Sequence, residues 1–289
     1  MNAKGKEKGM LRFCGHTMGV PGMEVVEAMR LFADLGFEGI EIRVGPQGTI
    51  DPKDFGPDLA TRINAARRGT GLEVACLTPY FRQFHVPAER EAEMDGMLAT
   101  VEFAAHIGCP TVRVFAGKNP PMEGAEHDAA LSALFDALRQ LGCFALPRGI
   151  SFAIETHGGT LVPTIRSAVR LASDIGLSNV GVLLDYANAY PAGPHGRAAV
   201  GLAAPYLKHV HMKDIVVGRE GADQFVDFGQ GNVGWPEVLA ALVEIGYEGF
   251  VSDEYERCWH PELPPAETAM KQHVDWLRAW RAANARPTP

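Results

Sequence analysis

The chain lacks the features that mark several protein classes. Its five cysteines (Cys14, Cys76, Cys109, Cys143 and Cys258) are scattered, odd in number and without a C-x-x-C pair. That argues against a disulfide framework and a thiolate zinc site, and points to the reducing cytoplasm. Basic residues are in deficit, with 27 Lys and Arg against 35 Asp and Glu and a net charge of −8. Phosphate backbones are held by clustered cations, so no nucleic-acid partner is expected. No window approaches transmembrane length, and the opening MNAKGKEKG has no apolar stretch behind it to act as a signal core. No membrane association is therefore expected, and residues 1–9 read as a flexible N-terminal segment. No G-x-G-x-x-G follows the first strand-like run, and no G-x-x-x-x-G-K-[ST] occurs, which leaves nucleotide phosphates without a cradle. Nor does a Gly/Ser/Pro-rich linker divide the chain.

What the chain does have is a rhythm. Eight β-like runs, at about 10–15, 38–44, 72–77, 111–116, 150–155, 180–185, 208–213 and 249–254, alternate with amphipathic helical stretches. MEVVEAMRLFADLG, AEMDGMLATVEFAAHIG and WPEVLAALVEIG carry apolar residues at helical spacing and end at Gly36, Gly108 and Gly246, where glycine can cap the helix. Strand and helix in alternation imply a parallel sheet covered by helices. An open doubly wound sheet shares that rhythm. Eight strands, 46% hydrophobic residues and a length of 289 favour closure into one α/β (β/α)8 TIM barrel, a fold of about 250 residues. The barrel is read over 10–284 as a single domain, with a proline-bearing tail at 285–289.

Four apolar runs in the second half each end on a side chain that binds divalent metals: ISFAIE at Glu155, VGVLLD at Asp185, LKHVH at His211 and GFVSDE at Glu254. Burying such groups costs several kcal/mol unless a partner, proton or cation compensates. Parallel strands deliver their C-terminal ends to one face, so four in series suggest one shared cation. His209 competes with His211, since both alternate onto one side of the strand. Glu256 likewise competes with Glu254, while Asp253 should point to the other face.

The segments AIETHGG (153–159), LLDYANAY (183–190), KHVHMKD (208–214), FGQGNVGW (228–235) and GYEGFVSDEYE (246–256) resemble the xylose isomerase-like TIM-barrel superfamily, within it the sugar phosphate isomerase/epimerase group. The resemblance implies a divalent metal at the C-terminal face, held by Glu155, Asp185, His211 and Glu254. Three carboxylates and one imidazole form a hard donor set. Manganese is the expected ion, with magnesium, cobalt and zinc as alternatives. The resemblance further implies that Glu155 and Glu254 are catalytic, one removing a proton beside a carbonyl and the other returning it through a cis-enediolate. Around them His16, Arg82, His85, His157, Asn188 and Lys213 are the expected substrate-binding residues. His157 and Lys213 lead, because each shares strand parity with a ligand.

Departures from related enzymes narrow this reading. Leu161 and Val217 stand where ketohexose 3-epimerases carry a carboxylate and an arginine, and Asn188 stands where many relatives carry a histidine. A metal-dependent lyase or dehydratase, eliminating β to the carbonyl of a keto-inositol or 3-keto glycoside, is thus the alternative. ACLTPY and RVFAG lack the extra histidines of endonuclease IV. No backbone-amide nest or paired Lys/Arg motif follows the seventh and eighth strands, so a substrate phosphate is not required. The expected partner is a small carbohydrate, and a homo-oligomer is compatible with the reading.

Overall fold

The structure is a computed structural model and describes residues 10–218 and 224–284. The segments read as a flexible terminus (1–9) and a tail (285–289) lie outside the described residues. Along the chain run β1 (Arg12–His16), α1 (Val25–Leu35), β2 (Gly39–Val44), α2 (Pro57–Thr70), β3 (Glu73–Pro79), α3 (Arg90–Ile107), β4 (Thr111–Val114), α4 (Gly124–Ala145) and β5 (Ser151–Glu155). There follow α5 (Ile165–Ile175), β6 (Val180–Asp185), α6 (Tyr186–Ala189), α7 (Gly196–Ala203), β7 (Leu207–Met212), β8 (Asp214–Val216), β9 (Gln224–Val226), α8 (Trp235–Glu244), β10 (Phe250–Asp253) and α9 (Ala266–Asn284). The parallel strands close in the order β1-β10-β7-β6-β5-β4-β3-β2. This is the single TIM barrel expected, with each barrel strand within two residues of its expected start.

Helix ends follow the chemistry of their caps. Gly36 and Gly108 take φ of 99° and 65° after α1 and α3, a left-handed conformation that costs a side-chain-bearing residue about 1 kcal/mol. Each turns the chain directly into the next strand. At the start of α5 a Thr164–Ser167 capping box satisfies two otherwise free backbone donors.

One expectation from the sequence is corrected. The helical stretch Gly124–Arg148 is long and apolar enough to cross a membrane by length and composition. Its buried residues, among them Ala130, Leu134, Ala137, Leu138 and Leu141, recur at three- and four-residue spacing. They lie against β5 and the neighbouring α3 and α5, so this apolarity serves a core-facing helix.

The seventh barrel strand also has an addition that periodicity did not reveal. Directly after it, β8 and β9 form an antiparallel pair, Asp214 opposite Val226 and Val216 opposite Gln224. Asp214 gathers the glycine-rich loop beyond: Oδ2 accepts from the amides of Gly229 (2.9 Å) and Gly231 (3.0 Å). A Cβ at Gly231 would lie 1.9 Å from Asp214 Oδ1, so only glycine fits there. Trp235 then donates its indole N–H to the Lys213 carbonyl at 2.8 Å, locking the end of β7 to the start of α8.

Side chains inside the barrel are layered. Cys14, Ala75 and Phe250 form a small apolar cluster at its lower end. Glu41, His209, His16 and Thr78 form a buried polar layer joined by hydrogen bonds and ion-pair contacts. The larger apolar core, including Phe32, Ile40, Ile42, Phe152 and Ile154, fills the space between strands and helices. Charged groups are thus concentrated at one end of the barrel interior, and their partners show why.

Candidate active site

Glu155, Asp185, His211 and Glu254 are all buried, and each offers a donor atom within 4.8 Å of the others. Asp185 and His211 lie opposite each other in the β6–β7 register. Barrel order sets β5, β6, β7 and β10 side by side, so the glutamates stand at the two ends of the row and flank the other two groups. His209 points into the layer below and meets Glu41 Oε2 at 2.8 Å. Glu256 reaches only the edge, accepting from Lys213 Nζ at 2.7 Å. Asp253 faces outward to His273 Nδ1 at 3.0 Å.

Beneath the row, Glu41 organises the imidazoles. Its Oε1 lies 2.9 Å from His211 Nε2, and its Oε2 takes His209. Burial would raise the Glu41 pKa, yet His211, His209 and His16 outweigh it and hold the carboxyl well below its usual range. His16 is driven the other way, down to about 4, by burial against the pull of Glu41. Its Nδ1 accepts from the Met18 amide (2.9 Å) and its Nε2 pairs with Thr78 Oγ1 (3.0 Å). His16 is thus a neutral, fully engaged ring under the cluster.

Cations hold the carboxylates in place. Lys213 Nζ donates to Asp185 Oδ2 (2.8 Å), Glu254 Oε2 (2.7 Å) and Glu256 Oε1. Arg113 Nη1 donates to Glu155 Oε2 at 3.0 Å and Nη2 to the Pro79 carbonyl at 2.9 Å. Burial raises Glu155 and Glu254, but Arg113 in the first case, and His211 with Lys213 in the second, bring each below the ordinary value. Asp185 is different: burial pushes it up to about 7, with Lys213 opposing. Asn188 donates its backbone and side-chain N–H groups to the two Asp185 oxygens. It therefore orients that carboxylate.

His211 Nδ1 tests whether a metal fits. It lies 3.0 Å from Glu254 Oε1 and 3.5 Å from Glu155 Oε1, yet makes a hydrogen bond to neither. With the ring proton on Nε2 facing Glu41, Nδ1 turns a lone pair toward two carboxylate oxygens, which is repulsive unless a cation or proton lies between. Burial lowers the His211 pKa, but Glu254 and Glu41 overcome it and hold it well above normal. A pocket that draws a proton there equally suits a divalent ion. Glu41–His211 supplies the carboxylate–histidine support that metal-bound imidazoles use.

The remaining expected residues lie at the rim. Arg82 stands over Tyr80 and Phe115, 5.5 and 5.6 Å from the ring centroids. His157 packs its ring on Phe115 at 4.9 Å, with Nδ1 2.6 Å from the Gly158 carbonyl. His85 lies beside Gly117 in the loop after β4. None of these three bonds to the four clustered side chains. Glu41 and Arg113 also support the cluster. The sequence offers Glu41 as a polar residue at the expected catalytic rim and Arg113 as reaching the pocket or forming a salt bridge inside a barrel layer, and its buried pair with Glu155 is such a bridge. The signal for Glu41 was a carboxylate between Ile40 and Ile42 in a strand buried throughout, which demands partners. A cavity of about 240 Å³ opens beside Lys213, Glu254 and Glu256, between β9 and the loop after β10.

A family model described as xylose isomerase-like TIM barrel matches residues 29–280. The chain belongs to that family. Among curated relatives, the rhizopine catabolism protein MocC of Rhizobium meliloti is 30% identical over 61% of this chain and 56% of its own. The 2-oxo-tetronate isomerase of Pectobacterium atrosepticum is 24% identical over 62% and 64%. The match thus spans under two thirds of the length of each. An inosose dehydratase of Clostridium beijerinckii is 26% identical over 85% of this chain and 86% of its own. Of solved structures, a xylose isomerase domain protein from Planctomyces limnophilus superposes with a TM-score of 0.77 at 20% identity, covering 96% of this chain and all of that one. The IOLI protein with a bound zinc atom gives 0.77 at 20%, covering 93% and 99%. A xylose isomerase-like TIM-barrel protein from Mycobacterium smegmatis in complex with magnesium gives 0.73 at 15%, covering 96% and 100%. At these identities the structures speak for the shared fold.

Proposed function

We propose that this chain is a divalent-metal-dependent sugar isomerase or epimerase, acting on a ketose or related polyol carbonyl through a cis-enediolate. The observation that carries the reading is the pair of buried carboxylates, Glu155 and Glu254, at the two ends of the donor row, with a buried imidazole nitrogen unpartnered between them. Glu155, Asp185, His211 and Glu254 would hold the ion, with manganese expected first. When bound, the ion polarises a substrate carbonyl and offsets negative charge on its oxygens. The protein does the rest. Arg113 keeps Glu155 ionised and Lys213 does the same for Glu254, so either can take a proton from the carbon beside the carbonyl. In an isomerisation that same glutamate gives the proton to the adjacent carbon, whereas in an epimerisation the opposite glutamate enters the turnover protonated from solvent and delivers its proton to the other face. Asn188 and Lys213 fix Asp185.

A second reading has its own support. Lys213 Nζ sits among Asp185, Glu254 and Glu256, with its pKa held well above normal by these carboxylates against the effect of burial. It is a permanent ammonium beside the clustered carboxylates, and exchanging one of them for a departing oxygen would let it stabilise and protonate that oxygen. In a keto-inositol or 3-keto glycoside, a carboxylate would remove the α-proton, the β C–O bond would break, and Lys213 would protonate the leaving oxygen. The inosose dehydratase relative, aligned over most of both chains, supports this alternative.

Incubation of ketoses and keto-inositols with the manganese-loaded protein in D2O separates the two. Deuterium entering the carbon beside the carbonyl without unsaturation supports the isomerase; an unsaturated ketone supports the lyase. Glu155→Gln or Glu254→Gln should lower turnover about 100-fold or more while retaining an oxygen donor for metal. Exchange and elimination both absent from wild type across the panel would contradict both readings.

A further inference from the structure

Above the ligand row, three arginines from different strands and loops surround one aromatic ring. The guanidinium carbons of Arg113, Arg43 and Arg82 lie 4.6, 5.1 and 5.5 Å from the Tyr80 centroid. Arg113 is committed to Glu155. Arg43 and Arg82 have no carboxylate within 4.0 Å among the described residues, although the charge of Arg82 acts on Glu93 from beyond that distance. Arg43 is only 9% exposed. It donates Nη1 to the Gln47 carbonyl (2.8 Å) and Cys258 Sγ (3.0 Å), while its buried Nε has no partner. Trp259, 51% exposed, lies 4.9 Å from the same guanidinium.

A buried guanidinium without an anion is costly, because one carbonyl, one thiol and two aromatic rings replace only part of the hydration Arg43 has lost. The cluster's own acids do not supply the missing charge. Glu155, Asp185, Glu254 and Glu256 are already engaged by Arg113 and Lys213, and the first three would share any divalent ion bound there. Arg43 and Arg82 lie outside that balance, on the same aromatic platform as Arg113, which reaches the ligand row. We propose that Arg43 and Arg82 form an anion subsite, and that the substrate is a polyol with a carboxylate or phosphate at the end remote from its reacting carbonyl. Planar guanidinium forks with unused N–H groups match either anion, and Tyr80 with Trp259 provides an apolar wall for the carbon chain. The subsite depends on the proposed isomerase or lyase reading only for the location of the reacting carbonyl.

Calorimetric titration of the intact protein, dialysed free of metal, with gluconate, glucitol 6-phosphate and glucitol tests this directly. None carries a ketone or aldehyde, so binding is read apart from turnover. The expected result is at least about tenfold tighter binding of one anion than of glucitol, lost in Arg82→Met and Arg43→Met and weakened by added salt. The preferred anion distinguishes carboxylate from phosphate. If Arg43→Met fails to fold, Arg43→Lys and the half-buried Arg82 carry the test. Equal affinity for all three compounds, or anion binding indifferent to Arg82→Met and Arg43→Lys, overturns the subsite. Wild type and Arg82→Met turning over an anionic ketose alike, with no preference over its neutral counterpart, would overturn it while leaving the isomerase reading intact. Anion binding as expected, with no exchange or elimination on any substrate, would uphold the subsite and sink the reaction.

Discussion

A carboxylate buried between two imidazoles, as Glu41 is between His209 and His211, sets which ring nitrogen is free to bind. By taking His211 Nε2 it leaves Nδ1 facing the row of carboxylates. Glu41→Gln keeps the shape but can place an amide N–H against Nε2, favouring the wrong tautomer. Metal affinity should fall about 10–100-fold, measured by calorimetry with manganese, with secondary structure unchanged. Unaltered affinity would show that Glu41 only fills space. The four donors above it were legible from sequence because each ends an apolar run at a strand's C-terminal edge. Glu41 was not, since it lies inside a strand and its partners are 168 and 170 positions away. Only the closed barrel brings β2 and β7 close enough to join them.

Elements hold these residues in register, and α9 does so through one buried ion pair. His273 on α9 meets Asp253 on β10 at 3.0 Å, immediately before Glu254. Burial lowers the His273 pKa, but Asp253 outweighs it and leaves it raised. A raised folded-state pKa means the stabilisation is fully present below the unfolded histidine value of about 6.5. It is lost as pH rises through the higher folded value. His273→Leu, which leaves Asp253 buried alone, should cost about 3–5 kcal/mol below that value. The difference in melting temperature between wild type and variant should shrink toward alkaline pH. A gap independent of pH would assign His273 to packing alone. The outward direction of Asp253 followed from strand alternation, but its partner did not, because α9 is distant in sequence and amphipathic like its neighbours. The β8–β9 pair escaped notice for a different reason: strands of three residues are too short for alternation to stand out.

At the scale of the whole molecule, the barrel converts strand order into a site. Contiguous β5, β6, β7 and β10 bring together groups spread over residues 155 to 254, and the eightfold rhythm that predicts this closure runs the length of the chain. The rim escapes such a reading. Arg43, Arg82, Tyr80 and Trp259 come from separate loops and strand ends, and loop paths do not follow from hydrophobic period. Metal should also act as a stabilising ligand of the whole fold, contributing about 2.7 kcal/mol when free ion exceeds Kd a hundredfold.

The central claim is that Glu155, Asp185, His211 and Glu254 together bind one divalent ion. Metal content by mass spectrometry after manganese loading and gel filtration, with the melting temperature taken before and after chelation, tests it most directly. The account predicts one ion per chain and a melting temperature that falls on chelation. Both effects should be absent in an Asp185→Asn, His211→Gln double variant that still folds. No retained ion with manganese, magnesium, cobalt or zinc, or equal retention by the double variant, would contradict it.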